Sequence, residues 1–177
     1  RTTALGDFVA SSCAIKLGMK IEPFSLMKNF QNMGYRLENI VEIPGTMSHR
    51  GGIIDIYSPT AGNPFRLEFF GDTIHSIRTF DPATQRSIDK VPEVKVGPAT
   101  ELLLPRMMNT QALEDIIDCI DLTGCTSEAK QQFQRDKELF LAGQDLRDAQ
   151  FYAALFSKGK ILEYLPSDAL IVLDEPS

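Results

Sequence analysis

Between residues 35 and 96 short apolar runs alternate with recurring Gly and Pro, and this punctuation constrains the fold more than any other feature. The runs cover residues 39–43, 52–57, 65–70, 74–80 and 94–96. Apolar segments of this length, bounded by turn residues, are strand signals. The pair Gly71-Asp72 between Phe70 and Thr73 gives the clearest hairpin turn, because glycine accepts the positive φ that primed turns require.

Side chains on a strand alternate faces, so the hairpin can be sorted by parity. Arg66, Glu68 and Phe70 point one way, and Phe65, Leu67 and Phe69 the other. A simple two-residue loop sets Phe70 opposite Thr73, Glu68 opposite His75 and Arg66 opposite Ile77. It also puts Arg78 on the face away from Arg66. One face is then apolar and suited to a core, while the other carries Arg, Glu, His and Thr with a large aromatic at its edge. Exposed aromatics beside arginine are enriched at protein interfaces. By composition alone two alternatives stay open: a docking surface, or a solvated charged face with Phe70 tucked under a loop.

The flanks differ in character. Residues 11–15 read as a short strand ending near Gly18. Glu22-Pro23 followed by Phe24, Met27, Phe30, Met33 and then Gly34 reads as a helix, with Pro in its first turn and Gly after its last apolar position. After Pro98 the pattern turns helical: Leu113, Ile116, Ile117 and Ile120 follow i, i+3, i+4, i+7. Gly124 interrupts, and a polar helix over 127–142 carries a thin stripe of Ala129, Phe133 and Phe140, stopped by Gly143. Residues 151–156 are short and aromatic, and 170–173 read as a buried strand. The expected organisation is an α+β unit at 21–97, flanked by 1–20 and a helical 98–177. With chain on both sides, the middle unit reads as an insertion into another domain.

Charge and composition exclude several functions. The net charge of −6 is uneven: +2 over residues 1–20, −1 over 21–97 and −7 over 98–177. Without a basic stripe to displace counterions from phosphates, the chain is a poor autonomous DNA binder. No apolar stretch approaches the roughly 18–20 residues that span a bilayer, and the first residues do not read as a signal peptide. The missing initiator Met suggests a piece of a longer protein. Cys13, Cys119 and Cys125 fit no disulfide or zinc spacing. They suggest a reduced, cytoplasmic chain with small apolar cysteines. His49 and His75 are too isolated for a metal site or a nucleophile–base set.

Two further motifs have plainer readings. Ser48-His49-Arg50-Gly51-Gly52 lacks nucleotide-binding spacing and reads as a tight turn feeding a strand. Residues 170–173 followed by Asp174-Glu175 look like a Walker B strand, which delivers carboxylates to Mg²⁺ and the attacking water. No P-loop accompanies it, so neither ATP nor Mg²⁺ is expected on this chain. No catalytic, cofactor-binding or metal residue is expected either.

Several ordered blocks carry a resemblance. They are Arg50-Gly51-Gly52-Ile53-Ile54-Asp55-Ile56-Tyr57, Pro64-Phe65-Arg66-Leu67-Glu68-Phe69-Phe70-Gly71-Asp72, Ser76-Ile77-Arg78-Thr79-Phe80-Asp81-Pro82 and Thr84-Gln85-Arg86-Ser87. Together they resemble the second domain of UvrB and of the bacterial transcription-repair coupling factors (Mfd). The likeness is strong over 33–100 and 160–177 and faint over 105–150. Phe80-Asp81-Pro82, Thr84-Gln85-Arg86-Ser87 and Asp174-Glu175-Pro176 favour the coupling factors, with UvrB the close alternative.

The resemblance implies an antiparallel-sheet, UvrB-like interaction domain at 21–97. It would be inserted in a partial helicase-like α/β domain whose ATP site is lost, ending in a degenerate Walker B-like strand. It implies a non-catalytic module of nucleotide excision repair that recruits UvrA to stalled RNA polymerase. In the full-length family member, an ATP-driven translocase using ATP and Mg²⁺, RNA polymerase and double-stranded DNA would be met by other domains. Two arginines and a phenylalanine of the family's UvrA surface fall on Arg50, Arg66 and Phe70, with Arg78 a weaker candidate.

Overall fold

The computed structural model describes residues 2–100, 110–142, 144, 149–156 and 159–172. A six-stranded sheet organises the middle of the chain. In spatial order its strands are β2 (Arg36–Leu37), β3 (Thr46–Arg50), β4 (Ile53–Tyr57), β5 (Phe65–Phe70), β6 (Thr73–Phe80) and β7 (Ser87–Lys90). All neighbours run antiparallel except β2 and β3. A separate two-stranded ladder joins β1 (Cys13–Lys16) to β8 (Glu93–Val96). The α+β class and the antiparallel sheet are as expected.

One face of the large sheet is a continuous apolar core. Met47, Ile54, Ile56, Leu67, Ile74 and Ile77 are buried there under Leu26, Met27 and Phe30 of helix α2 (Pro23–Asn32), which follows the short helix α1 (Leu5–Ala10) in the chain. Each fully buried side chain of this kind contributes about 1.5–3 kcal/mol. Helix α2 starts where Glu22 caps it: the carboxylate accepts the Phe24 N–H at 2.9 Å and the Ser25 N–H at 2.6 Å. These bonds hold the Glu22 pKa below its usual value. Phe24, although in the expected stripe, is exposed, and Leu26 takes its place in the core. Ile15 of β1 and Val94 and Val96 of β8 complete the same cluster. Cys13 and Ile15, in the segment assigned to a flank, thus pack on the same core as residues 21–97. Burial pushes the Tyr35 hydroxyl up to about 12, and it donates to the Gly97 carbonyl at 2.6 Å.

Some expected elements do not form. Residues 39–43 make bends rather than a strand, with Val41 buried and Ile40 and Ile43 exposed. Their apolar content reflects one anchoring side chain, not a pleated face. Two strands, β3 and β7, carry too many polar residues to have been read from hydrophobicity. Cys119 and Cys125 are exposed rather than small core fillers, and Cys13 is half-buried.

Among the described residues beyond 109 the regular elements are helical. They comprise α3 (Thr110–Asp118), α4 (Ser127–Leu141), a 3-10 turn at Ala149–Tyr152, α5 (Ala153–Phe156) and a 3-10 turn at Ile161–Tyr164. Thr126 caps α4 by accepting the Ala129 N–H at 3.3 Å. Ile117 and Tyr152 centre a second, smaller cluster with Ile116, Phe133, Phe140, Leu141 and Leu155. Leu170, Ile171 and Val172, expected in a buried strand, are exposed and lie outside any strand, their apolar run having found no sheet among the described residues to pack into. The remainder of that motif, with Asp174 and Glu175, lies outside the described residues, as does Gly143. Among the described residues no helix is long and apolar enough to cross a membrane.

Candidate docking face

The sheet's other face builds the site. Register places Ser48, Asp55, Arg66, Arg78 and Lys90 in one row across β3 to β7. The next row holds Arg50, Ile53, Glu68 and Ser76. Phe70 and Thr73 stand at the hairpin tip beyond. Neighbouring strands lie about 4.8 Å apart, so each row is a line of touching side chains.

The expected pairing of β5 with β6 holds only at the tip. Phe70 faces Thr73, but a bulge between Glu68 and Phe69 shifts the rest, so Glu68 faces Ser76, Leu67 faces Ile77 and Arg66 faces Arg78. The extra residue, His75, changes the parity of β6 below it. Arg78 therefore lies on the same face as Arg66, opposite to what simple alternation gave. Its guanidinium donates to Ser76 Oγ at 3.0 Å and to Glu68 Oε2 at 3.4 Å.

Phe70 is not tucked under a loop. It is 85% exposed at the end of β5. Backbone bonds from the segment before α2 hold the tip: Ile21 N–H to Asp72 O at 2.7 Å, Gly18 N–H to Ile74 O at 2.8 Å and Ile74 N–H to Met19 O at 3.0 Å. Gly71 turns the chain with φ +58°, a conformation glycine adopts without strain. At the neighbouring β3–β4 turn, a Cβ on Gly52 would stand 3.0 Å from the Phe69 carbonyl oxygen. That close approach lets Gly52 O accept the Phe69 N–H at 2.7 Å, tying the two hairpins together.

Arg66 departs from the outward geometry the strand pattern implied. Its side chain is only 15% exposed, and its guanidinium grips Asp55, which is 1% exposed, through Nε to Oδ1 at 2.7 Å and Nη2 to Oδ2 at 2.9 Å. Those hydrogen bonds are the leading cause of a raised Arg66 pKa. The guanidinium lies 4.6 Å from the centre of the buried Phe80 ring and donates to Gln85 O at 3.3 Å. Gln85 sits in the left-handed region, φ +60°, held by its own Nε2 donating to Pro82 O at 2.7 Å and Val41 O at 3.1 Å. The turn that carries it is pinned by Asp81, which accepts the Ala83 and Thr84 N–H groups and has its pKa lowered by them. Two loops thus close over this end of the face.

Arg50, at the end of β3, also donates to Asp55 Oδ2 at 2.9 Å, yet 53% of its side chain is exposed. The four sequence-derived residues therefore share one face but differ in freedom: Phe70 is open, Arg50 half-open, Arg78 partly covered and Arg66 nearly enclosed. Sequence reasoning missed Asp55 and Gln85. An acid inside Ile53-Ile54-Asp55-Ile56-Tyr57 was the available signal for the first. Among the described residues no three His, Cys, Asp or Glu side chains cluster as metal ligands would. An exposed ring beside arginines fixed by a buried carboxylate can anchor a macromolecule.

Comparison with known proteins agrees on one lineage. A family model described as "UvrB interaction domain" matches residues 13–102. The transcription-repair-coupling factor of Bacillus subtilis is 34% identical over 177 residues, covering 95% of this chain and 15% of the relative. That of Myxococcus xanthus is 45% identical over 95 residues, covering 54% of this chain and 8% of the relative. The Staphylococcus aureus (strain USA300) protein of the same title is 32% identical over 171 residues, covering 91% and 14%. The chain thus spans about 15% or less of the length of these relatives.

Proposed function

This chain belongs to the UvrB interaction domain family, and we propose that it is the UvrA-recruiting module of a transcription-repair coupling factor. The observation that carries this reading is Phe70, an aromatic ring held 85% exposed by a braced hairpin tip. A braced tip presents this ring in one place, and aromatic residues with arginine form the energetic centres of interfaces. Arg50 and Arg78 share the face and supply the charge that orients a partner.

In this role the module is a non-catalytic part of nucleotide excision repair. It brings UvrA to sites where RNA polymerase has stalled. The longer polypeptide would be an ATP-driven, cytoplasmic DNA translocase whose ATP, Mg²⁺, RNA polymerase and double-stranded DNA are bound elsewhere. The flanks fit a helicase-like host domain into which the module is inserted. Thr2 N–H donates to Gly159 O at 3.1 Å and the Tyr164 hydroxyl to Thr3 O at 2.8 Å, so the two chain segments meet outside the module.

The test is calorimetric titration of the purified chain with UvrA. Phe70→Ala weakens binding by about 2 kcal/mol, or roughly thirtyfold. It changes unfolding free energy by less than about 0.5 kcal/mol, as a surface truncation should. Unchanged affinity in a folded Phe70→Ala chain rules this face out.

A further inference from the structure

We infer that Asp55 is the positioning residue of the docking face, and that it acts by aiming Arg50 at a carboxylate on the partner. The inference rests on the docking reading above and assigns the work within that face.

Asp55 accepts three N–H groups from two arginines, one at Oδ1 and two at Oδ2. Two cations around one buried anion leave a single positive charge uncompensated. The arginines do not share that charge equally. Arg66 has its guanidinium plane fixed by two bonds to Asp55, a third to Gln85 O and the Phe80 ring beneath. With 15% of its side chain exposed, it has little surface left to offer. Arg50 gives Asp55 one N–H and leaves 53% of its side chain in solvent. The excess charge is therefore presented by Arg50.

A guanidinium offers five N–H donors in a rigid fork that matches a carboxylate two bonds at a time. One bond to Asp55 removes much of the rotamer freedom of a side chain that stands beside a glycine turn, so less is lost when a partner carboxylate docks. The same register places Ile53 and Glu68 between Arg50 and the second row's far edge. Arg50 and Phe70 thus flank a short stretch of one surface, an apolar anchor at one end and a cation at the other. The partner surface that fits has an apolar pocket and an acidic side chain next to it.

The test has two arms, both on the whole chain. In the first, ¹⁵N NMR of the free chain follows the Arg50 guanidinium. Slow rotation, with resolved Nη signals that average on Asp55→Asn, supports the inference, and fast rotation in the wild type overturns it. This arm needs no partner, so it stands even if UvrA fails to bind, an outcome that sinks the docking reading instead. In the second arm, Asp55→Asn weakens UvrA binding about tenfold in the wild-type background. In an Arg50→Ala background the same change costs less than about twofold, because the guanidinium left on Asp55, that of Arg66, is too enclosed to meet a partner. A merely structural Asp55 loses the same factor in both backgrounds, and that additivity overturns the proposal. Thermal unfolding of each variant separates loss of fold from loss of aim.

Discussion

The two faces of the six-stranded sheet are stabilised by different physics. On the inner face Leu67, Ile54, Ile77 and their neighbours bury apolar area against α2. Stability there scales with area and tolerates volume-conserving exchange. The outer face depends at one end on a single buried carboxylate and the guanidinium groups that neutralise it. Such a cluster is complete or it fails, since removing one partner strands a charge away from water. The outer face can therefore hold a charged group still. An apolar core confines side chains by volume, whereas Asp55 fixes guanidiniums by direction and leaves Phe70 free at the edge.

Adjacent residues on β5 offer the sharpest challenge to that contrast. Leu67→Ala, on the inner face, should cost about 3 kcal/mol in denaturant-induced unfolding, the usual sum of lost transfer energy and residual cavity. Arg66→Ala, one residue away on the outer face, should cost about 2 kcal/mol, because Asp55 keeps only Arg50. A loss below about 0.5 kcal/mol would make Arg66 an ordinary surface residue and dissolve the distinction. The inner face also has one polar thread, the Tyr35 hydroxyl bonded to Gly97 O. Its pKa rises from 10.0 to about 12 on folding, so the neutral form is favoured in the native state. The stability this gives is fully present below pH 10 and lost as pH climbs toward about 12. Tyr35→Phe should lower stability by about 1 kcal/mol at neutral pH. It should also flatten the alkaline limb of the pH–stability curve. An ultraviolet titration in which every tyrosine ionises near 10 would remove this thread from the account.

Much of the fold was legible because alternation and turn chemistry are local. Phe65, Leu67 and Phe69 point toward the core as parity requires, and Gly71 turns the chain where the sequence placed it. The helix after Glu22 begins and ends at its cap and its glycine. Illegible parts depended on partners distant in sequence. β3 buries Thr46 and Ser48, which carry no apolar signal, because loops around Val41 and Gln85 cover that face. Residues 39–43 looked like a strand and serve as a lid anchored by Val41. Arg78 was misplaced because a bulge at His75 costs one residue of register, and nothing in Thr73–Phe80 marks it.

Local chemistry along the chain settled which residues could not avoid burial, where the chain had to turn, and which family its ordered blocks belong to. Apolar transfer and backbone sterics act within a few residues, so they can be read in order along the chain. Long-range packing placed Asp55 in the interior between two arginines, carried Arg78 to their face and left Phe70 in water. Those outcomes turn on register and on covering loops, which bring together groups as far apart as Val41 and Gln85, and no local rule fixes the sum.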